Sequence, residues 1–172
     1  MINMLIGNMN VIAEECCSKS EMTERLSRCK RGYIITQEPD FHTEYMILKY
    51  RYYNELEWFG VGFFFESSSF PPAIIPSFDD FLIYIGCCEY IFALNLKESK
   101  IEFRYDLQSE LVFAKCLSDS ILVISELGAV QMKSNGIVLQ EICFDDILET
   151  FKFEGKKVMF ETAQSTFVLE LI

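Results

Sequence analysis

A single histidine, His42, limits what this 172-residue chain can catalyse. A Ser-His-Asp triad, a Cys-His pair or a histidine-based metal site would each have to use it. It lies in Pro39-Asp40-Phe41-His42-Thr43, a polar stretch that reads as a surface turn between strands. The seven cysteines contain no C-x-x-C pair, and the adjacent pairs Cys16-Cys17 and Cys87-Cys88 are poor zinc geometry without further ligands. Asp79-Asp80 and Asp145-Asp146 offer paired carboxylates, but neighbours in an extended segment point apart, and no loop of calcium-binding spacing surrounds them. They read as turn and strand-end residues. Gly60-Val61-Gly62 begins like a phosphate loop and then lacks the third glycine, the lysine and the following helix. The sequence therefore predicts no enzyme: no catalytic residue, no cofactor and no metal.

Charge points to the class of partner instead. The formal charge of −11 excludes a general nucleic-acid binder, which needs clustered Lys and Arg to neutralise phosphates, and suits a basic protein partner. The charge is uneven, because Lys19, Arg25, Arg28, Lys30 and Arg31 crowd one segment and leave the rest more acidic. The first thirteen residues are interrupted by Asn3, Asn8 and Asn10 with no preceding Lys or Arg, unlike a signal peptide. The longest apolar run, Trp58 to Phe65, is far short of the roughly 20 residues a spanning helix needs, so no membrane segment is expected. An odd number of cysteines without framework spacing predicts reduced thiols, and with them a cytoplasmic location. Cys116 and Cys143 fall within apolar strand patterns and read as small buried hydrophobes.

The elements that would carry these residues are mostly strands, as sixteen Phe and eight Tyr suggest. One amphipathic helix is predicted at roughly 19 to 30, where Met22, Leu26 and Cys29 share a face and Ser18 with Glu21 has capping-box spacing. Strands follow at Tyr33 to Thr36, Glu44 to Tyr53 and Leu56 to Glu66. The breaker cluster from Ser67 to Pro76-Ser77 marks a subdomain boundary, giving residues 1–66 as N-terminal strands and helix, 67–78 as a connecting loop, and 79–172 as a repeat region.

Within that region, units start near 81, 121 and 158 with Phe81-Leu82-Ile83-Tyr84-Ile85, Ile121-Leu122-Val123-Ile124 and Val158-Met159-Phe160. Each leads into a second strand, and the first two continue through Lys97-Glu98-Ser99-Lys100 and Lys133-Ser134-Asn135-Gly136 into a third. A period near 40 built from antiparallel strands has the texture of propeller blades. The repeat resembles the blades of WD-type and quinoprotein-type β-propellers, although Trp-Asp and Gly-His signatures are absent and two to three units cannot close a ring. The expected fold is mainly β: antiparallel sheets with an incomplete propeller-like repeat in the C-terminal half, plus one short N-terminal helix.

In size, acidity and lack of a catalytic constellation the chain is similar to the immunity proteins of bacterial contact-dependent growth-inhibition and related polymorphic-toxin systems. That resemblance is of class and carries over no residue. It implies a protein that binds a basic toxin domain, such as a nuclease, and covers its active site. The binding residues would be acidic loop residues, Asp79, Asp80, Asp145, Asp146 and Glu149, beside the aromatic anchors Trp58 and Phe70. An acidic β-rich docking module in a larger assembly is the alternative.

Overall fold

The computed structural model describes residues 2–36, 43–66, 72–78 and 81–172. Four sheets stack face to face. Sheet 1 holds β1 (Ile2–Ile6), β2 (Met9–Cys16), β3 (Arg31–Ile34), β4 (Thr43–Tyr52) and β5 (Phe59–Glu66) in the order β1-β2-β4-β5-β3. Sheet 2 is the meander β6 (Ala73–Pro76), β7 (Leu82–Cys87), β8 (Tyr90–Asn95) and β9 (Lys100–Asp106). Sheet 3 repeats it with β10 (Leu111–Cys116), β11 (Ser120–Ser125), β12 (Gly128–Lys133) and β13 (Val138–Cys143). Sheet 4 has β14 (Leu148–Glu154), β15 (Lys157–Thr162) and β16 (Thr166–Glu170). All pairings are antiparallel except that of β3 with β5, which is parallel.

The stacking follows from alternation along the strands. In β7, Ile83 and Ile85 join Val11, Leu48, Val61 and Phe63 in the core between sheets 1 and 2, whereas Leu82 and Tyr84 join Ile121 and Val123 between sheets 2 and 3. In β11, Leu122 and Ile124 turn the other way, onto Val158 and Phe160 of sheet 4. Strands covered on both faces have no polar side to show, which is why β7 and β11 are buried throughout and read as unbroken apolar runs. Each fully buried Phe or Ile in these layers contributes roughly 1.5–3 kcal/mol of burial free energy.

The two ends of the stack are closed differently. The helix α1 (Lys19–Ser27) covers the free face of sheet 1, seating Met22 and Leu26 against Ile47 and Phe64. Glycine is required beneath it: a Cβ on Gly60 would stand 2.8 Å from Cys29 Sγ, and one on Gly62 would stand 2.9 Å from Leu26 Cδ1 and from Met22 Sδ. The pair that looked like half a phosphate loop is a seat for a helix. The free face of sheet 4 instead carries Lys152, Glu154, Lys157, Glu161 and Glu170 around Met159 and Val168, the kind of polar face that ends an array of stacked repeats.

Several expectations are met closely and others are corrected. The Ser18 hydroxyl accepts from Glu21 N at 3.2 Å, as the capping spacing implies, while the Glu21 carboxylate reaches back to Cys17 N at 2.7 Å. The helix stops at Ser27 rather than near 30, because the chain turns so that Lys30 N can bond to Trp58 O at 2.8 Å and begin β3. The units near 81, 121 and 158 are the equivalent strands β7, β11 and β15, each the second strand of its sheet. The segment 67–78, expected to be a connecting loop, contains strand β6: Pro76 has no N–H to give, but an edge strand tolerates its loss. The core between sheets 1 and 2 runs unbroken past this connection. The Gly7-Asn8 turn and the alternation Met9, Val11, Ala13, buried in the same core, form an N-terminal hairpin that the sequence reading did not assign. Cys143 is exposed on the edge strand β13, not buried as expected. Among the described residues, no helix is long and apolar enough to cross a membrane.

Candidate functional site: an acidic end with an intersheet groove

In an up-and-down meander alternate connections fall at the same end of the sheet. The turns and links after β7, β9, β11, β13 and β15 therefore share one end of sheets 2, 3 and 4. Backbone hydrogen bonds stitch them in series. Leu107 N bonds to Glu89 O at 2.7 Å and Leu111 N to Cys88 O at 2.9 Å. Glu126 N bonds to Glu110 O at 3.0 Å, Leu148 N to Glu126 O at 2.8 Å, and Phe144 N to Leu127 O at 2.8 Å. The Ser109 hydroxyl adds to the seam by accepting from Leu127 N at 3.1 Å.

This stitched end gathers Glu89, Asp106, Glu110, Glu126, Asp145, Asp146 and Glu149, and none of its five connections contains a Lys or Arg. The opposite ends of the same strands carry Lys97, Lys100, Lys133, Lys156 and Lys157. Ion pairs occur away from this end: Arg25 with Glu14 at 2.6 Å, Lys49 with Glu14 at 3.0 Å, Lys30 with Glu57 at 3.2 Å, and Lys152 with Glu154 at 2.9 Å are examples. A chain whose residues after position 66 number eight basic against sixteen acidic has thus placed much of its excess negative charge on one end.

Between sheets 2 and 3 this end opens into a groove of about 270 Å³, lined by Tyr105, Leu107, Leu127, Val130, Glu141 and Phe144. Tyr105 leans from β9 toward sheet 3, and its hydroxyl donates to Glu141 Oε1 on β13 at 3.1 Å. Burial, reinforced by the Glu141 charge, pushes the Tyr105 phenol up to about 12, so it remains a neutral donor throughout the physiological range. Gln108 turns the chain into the groove with φ of 60°, a left-handed conformation steadied by Asp106 Oδ1, which accepts from Gln108 N at 3.0 Å. Leu127 and Ile147 stand 45% and 58% exposed at this end, apolar side chains set among the acids.

The site residues expected from sequence are distributed unevenly about this geometry. Asp145, Asp146 and Glu149 belong to the acidic end. Asp145 is engaged within the chain: Oδ1 accepts from the Thr162 hydroxyl at 2.9 Å and Oδ2 from the Ser165 hydroxyl. The Ser165 hydroxyl, with that of Thr162, holds the carboxyl below the ordinary aspartate range. Asp146 Oδ1 accepts from Ile147 N at 2.8 Å, and Oδ2 accepts from Gln164 Nε2 at 3.2 Å. These two acids brace the link between sheets 3 and 4 while contributing charge. Trp58 is not brought to them. It lies half-buried on sheet 1, beneath the Arg51 guanidinium, 4.6 Å from the ring centroid, and the more distant Lys49 ammonium. Asp79, Asp80 and Phe70 lie outside the described residues, as does His42.

The sequence reading missed Glu89, Asp106, Glu110, Glu126, Tyr105 and Glu141. The signal was present in principle, because counting strands assigns every second connection to one end, but it requires knowing each strand boundary. Among the described residues no cluster of three or more His, Cys, Asp or Glu could hold a metal ion.

No family model matches the sequence, and no curated protein matches it. Solved structures do share its fold. The chain is similar to the dihydro-heme d1 dehydrogenase NirN in complex with DHE, with 13% identity and a TM-score of 0.50 over 78% of this chain and 33% of that one. It also matches the Neurospora crassa Pan2 WD40 domain, at 13% identity and a TM-score of 0.48 over 59% of this chain and 35% of that one. BamB from Moraxella catarrhalis matches at 10% identity and a TM-score of 0.46, over 77% and 40%. The chain spans under half the length of each.

Proposed function

We propose that this protein binds a basic protein domain through the acidic end of sheets 2 to 4, and that the bound domain is a toxin, a nuclease in the simplest case, which the complex neutralises. The observation that carries the reading is the sorting of charge: five connections distant in sequence converge on one end, bring five carboxylates with them, are flanked by Asp106 and Glu149, and include no cation. Such a surface would steer a positively charged partner during diffusion and fix its orientation. The same charge would meet the cationic cleft with which a nuclease holds phosphates, so docking there would exclude substrate. Leu127 and Ile147 supply apolar surface beside the carboxylates, and a complex needs such desolvated contacts to persist once steered together.

The test is co-expression with the toxin domain encoded beside this gene, together with calorimetric titration of the two purified chains. Growth rescue and a complex weakened by Glu89→Lys with Glu126→Lys support the reading. Cells that die as readily with the protein as without it remove neutralisation. If the chain then co-purifies in a stable multiprotein complex through the same end, it is a docking module.

A further inference from the structure

We infer that the groove between sheets 2 and 3 receives an arginine side chain of the partner. The inference rests on reading the acidic end as the docking face, and it names the group recognised there. At about 270 Å³ the groove has room for one long side chain. Its walls are of two kinds. Leu107 and Leu127 offer apolar contact to a three-methylene stem, while Tyr105 and Glu141 stand at the polar side.

The chemistry of that polar side distinguishes arginine from lysine. Glu141, an exposed residue, already accepts from Tyr105 at Oε1, which holds the carboxylate and leaves Oε2 without a protein donor among the described residues. A planar guanidinium can give a hydrogen bond to Oε2 and lay its face along the Tyr105 ring, combining charge pairing with a cation–π contact. An ammonium is a point charge with a stronger hydration shell and gains little from the ring. The carboxylates Asp106, Glu110 and Glu126 stand at the same end of the sheets and raise the local concentration of either cation, so the acidic end supplies attraction and the groove supplies the choice.

The experiment titrates the full chain with acetylated hexa-arginine amide and, separately, acetylated hexalysine amide at about 150 mM salt. The arginine peptide is expected to bind at least about tenfold more tightly. Glu141→Gln, a change at an exposed position, should remove most of that preference while leaving the salt-dependent attraction common to both peptides. Cys143 faces the same groove, so its alkylation, followed by peptide mapping, should be slowed several-fold by the arginine peptide and much less by the lysine peptide. Equal affinities for the two peptides, or a preference that survives Glu141→Gln, would overturn the assignment of the groove while leaving the acidic end as a docking face. Failure of both peptides to bind would overturn the docking reading as well.

Discussion

The Tyr105 hydroxyl donates to Glu141 Oε1 at 3.1 Å, so the outer strand of sheet 2 is tied to the outer strand of sheet 3 by a phenol and a carboxylate. Burial and the nearby negative charge favour the neutral phenol, whose pKa in the folded protein is about 12 against an unfolded value near 10. The sign follows: the contribution to stability is complete below about pH 10 and is lost as pH rises from there through 12. Ultraviolet titration of phenolate absorbance should show one late-ionising tyrosine missing in Tyr105→Phe. That variant should also lose about 1 kcal/mol or less, since the pair is half exposed.

Asp145 behaves with the opposite sign. Hydroxyl donors from Ser165 and Thr162 stabilise its ionised form, so its folded pKa lies below the unfolded value of about 3.9. Its contribution is present above that value and disappears as pH falls through the folded one. Melting temperature followed from pH 7 down to pH 2 should decline less steeply in Asp145→Asn than in the parent, from a lower starting point. Identical slopes would show that the carboxylate's charge has no part in holding the β13–β14 link.

Gly60 and Gly62 test the seat of α1. Gly62→Ala forces a methyl group against Met22 and Leu26, and overpacking of this kind costs about 1–3 kcal/mol. Denaturant unfolding should report that loss, and amide exchange should quicken first in α1 while sheets 3 and 4 keep their protection. Uniform destabilisation across all four sheets would mean that the helix is not a separable cap.

The polarity of the stack predicts an asymmetric response to charge reversal. Glu89→Lys with Glu126→Lys should slow association with a basic partner several-fold at low salt and converge with the parent at about 150 mM, where the Debye length is about 8 Å. Lys97→Glu with Lys133→Glu, at the other end, should leave the rate nearly unchanged. Asp145→Lys is a poor probe of binding, because it also breaks the braces to Thr162 and Ser165.

Gln131 offers a stability test that does not involve the docking face. Although wholly buried, it donates from Nε2 to Ile172 O at 3.0 Å and accepts at Oε1 from Ile172 N at 3.2 Å, imitating one rung of a strand ladder. Gln131→Leu should cost about 1–3 kcal/mol by leaving those backbone groups and the Ser120 hydroxyl without their partner. Unfolding in urea measures it, and exchange at Ile172 should rise in parallel.

The repeat in the C-terminal half was legible because its first two units each bury an unbroken apolar strand between two neighbours. Leu82 to Ile85 and Ile121 to Ile124 announce that burial in their composition, and Asn135-Gly136 marks a turn that needs a positive φ, which Gly136 supplies at 84°. The helix was legible for the same local reasons, a cap at Ser18 and an apolar face at Met22 and Leu26. Less visible were the short edge strand Ala73–Pro76, masked by its prolines, and the N-terminal hairpin, whose Asn residues read as interruptions although Met9, Val11 and Ala13 alternate into the core.

By itself, then, the sequence determined the helix, the repeated strands, the period and the sign of the charge, because each depends on residues within a strand or turn of one another. Where the charge sits was decided by tertiary structure alone. Glu89, Glu126 and Asp146 are separated by 37 and 20 residues and by strands of near-identical texture, and nothing local marks them as neighbours. They meet because an antiparallel meander sends alternate connections to one end, and because face-to-face burial of Ile83, Ile121 and Leu122 brings successive meanders into line. The same geometry moved Trp58 onto the first sheet, under its own arginine, and left the groove between Tyr105 and Glu141 where strands from two different repeats run side by side.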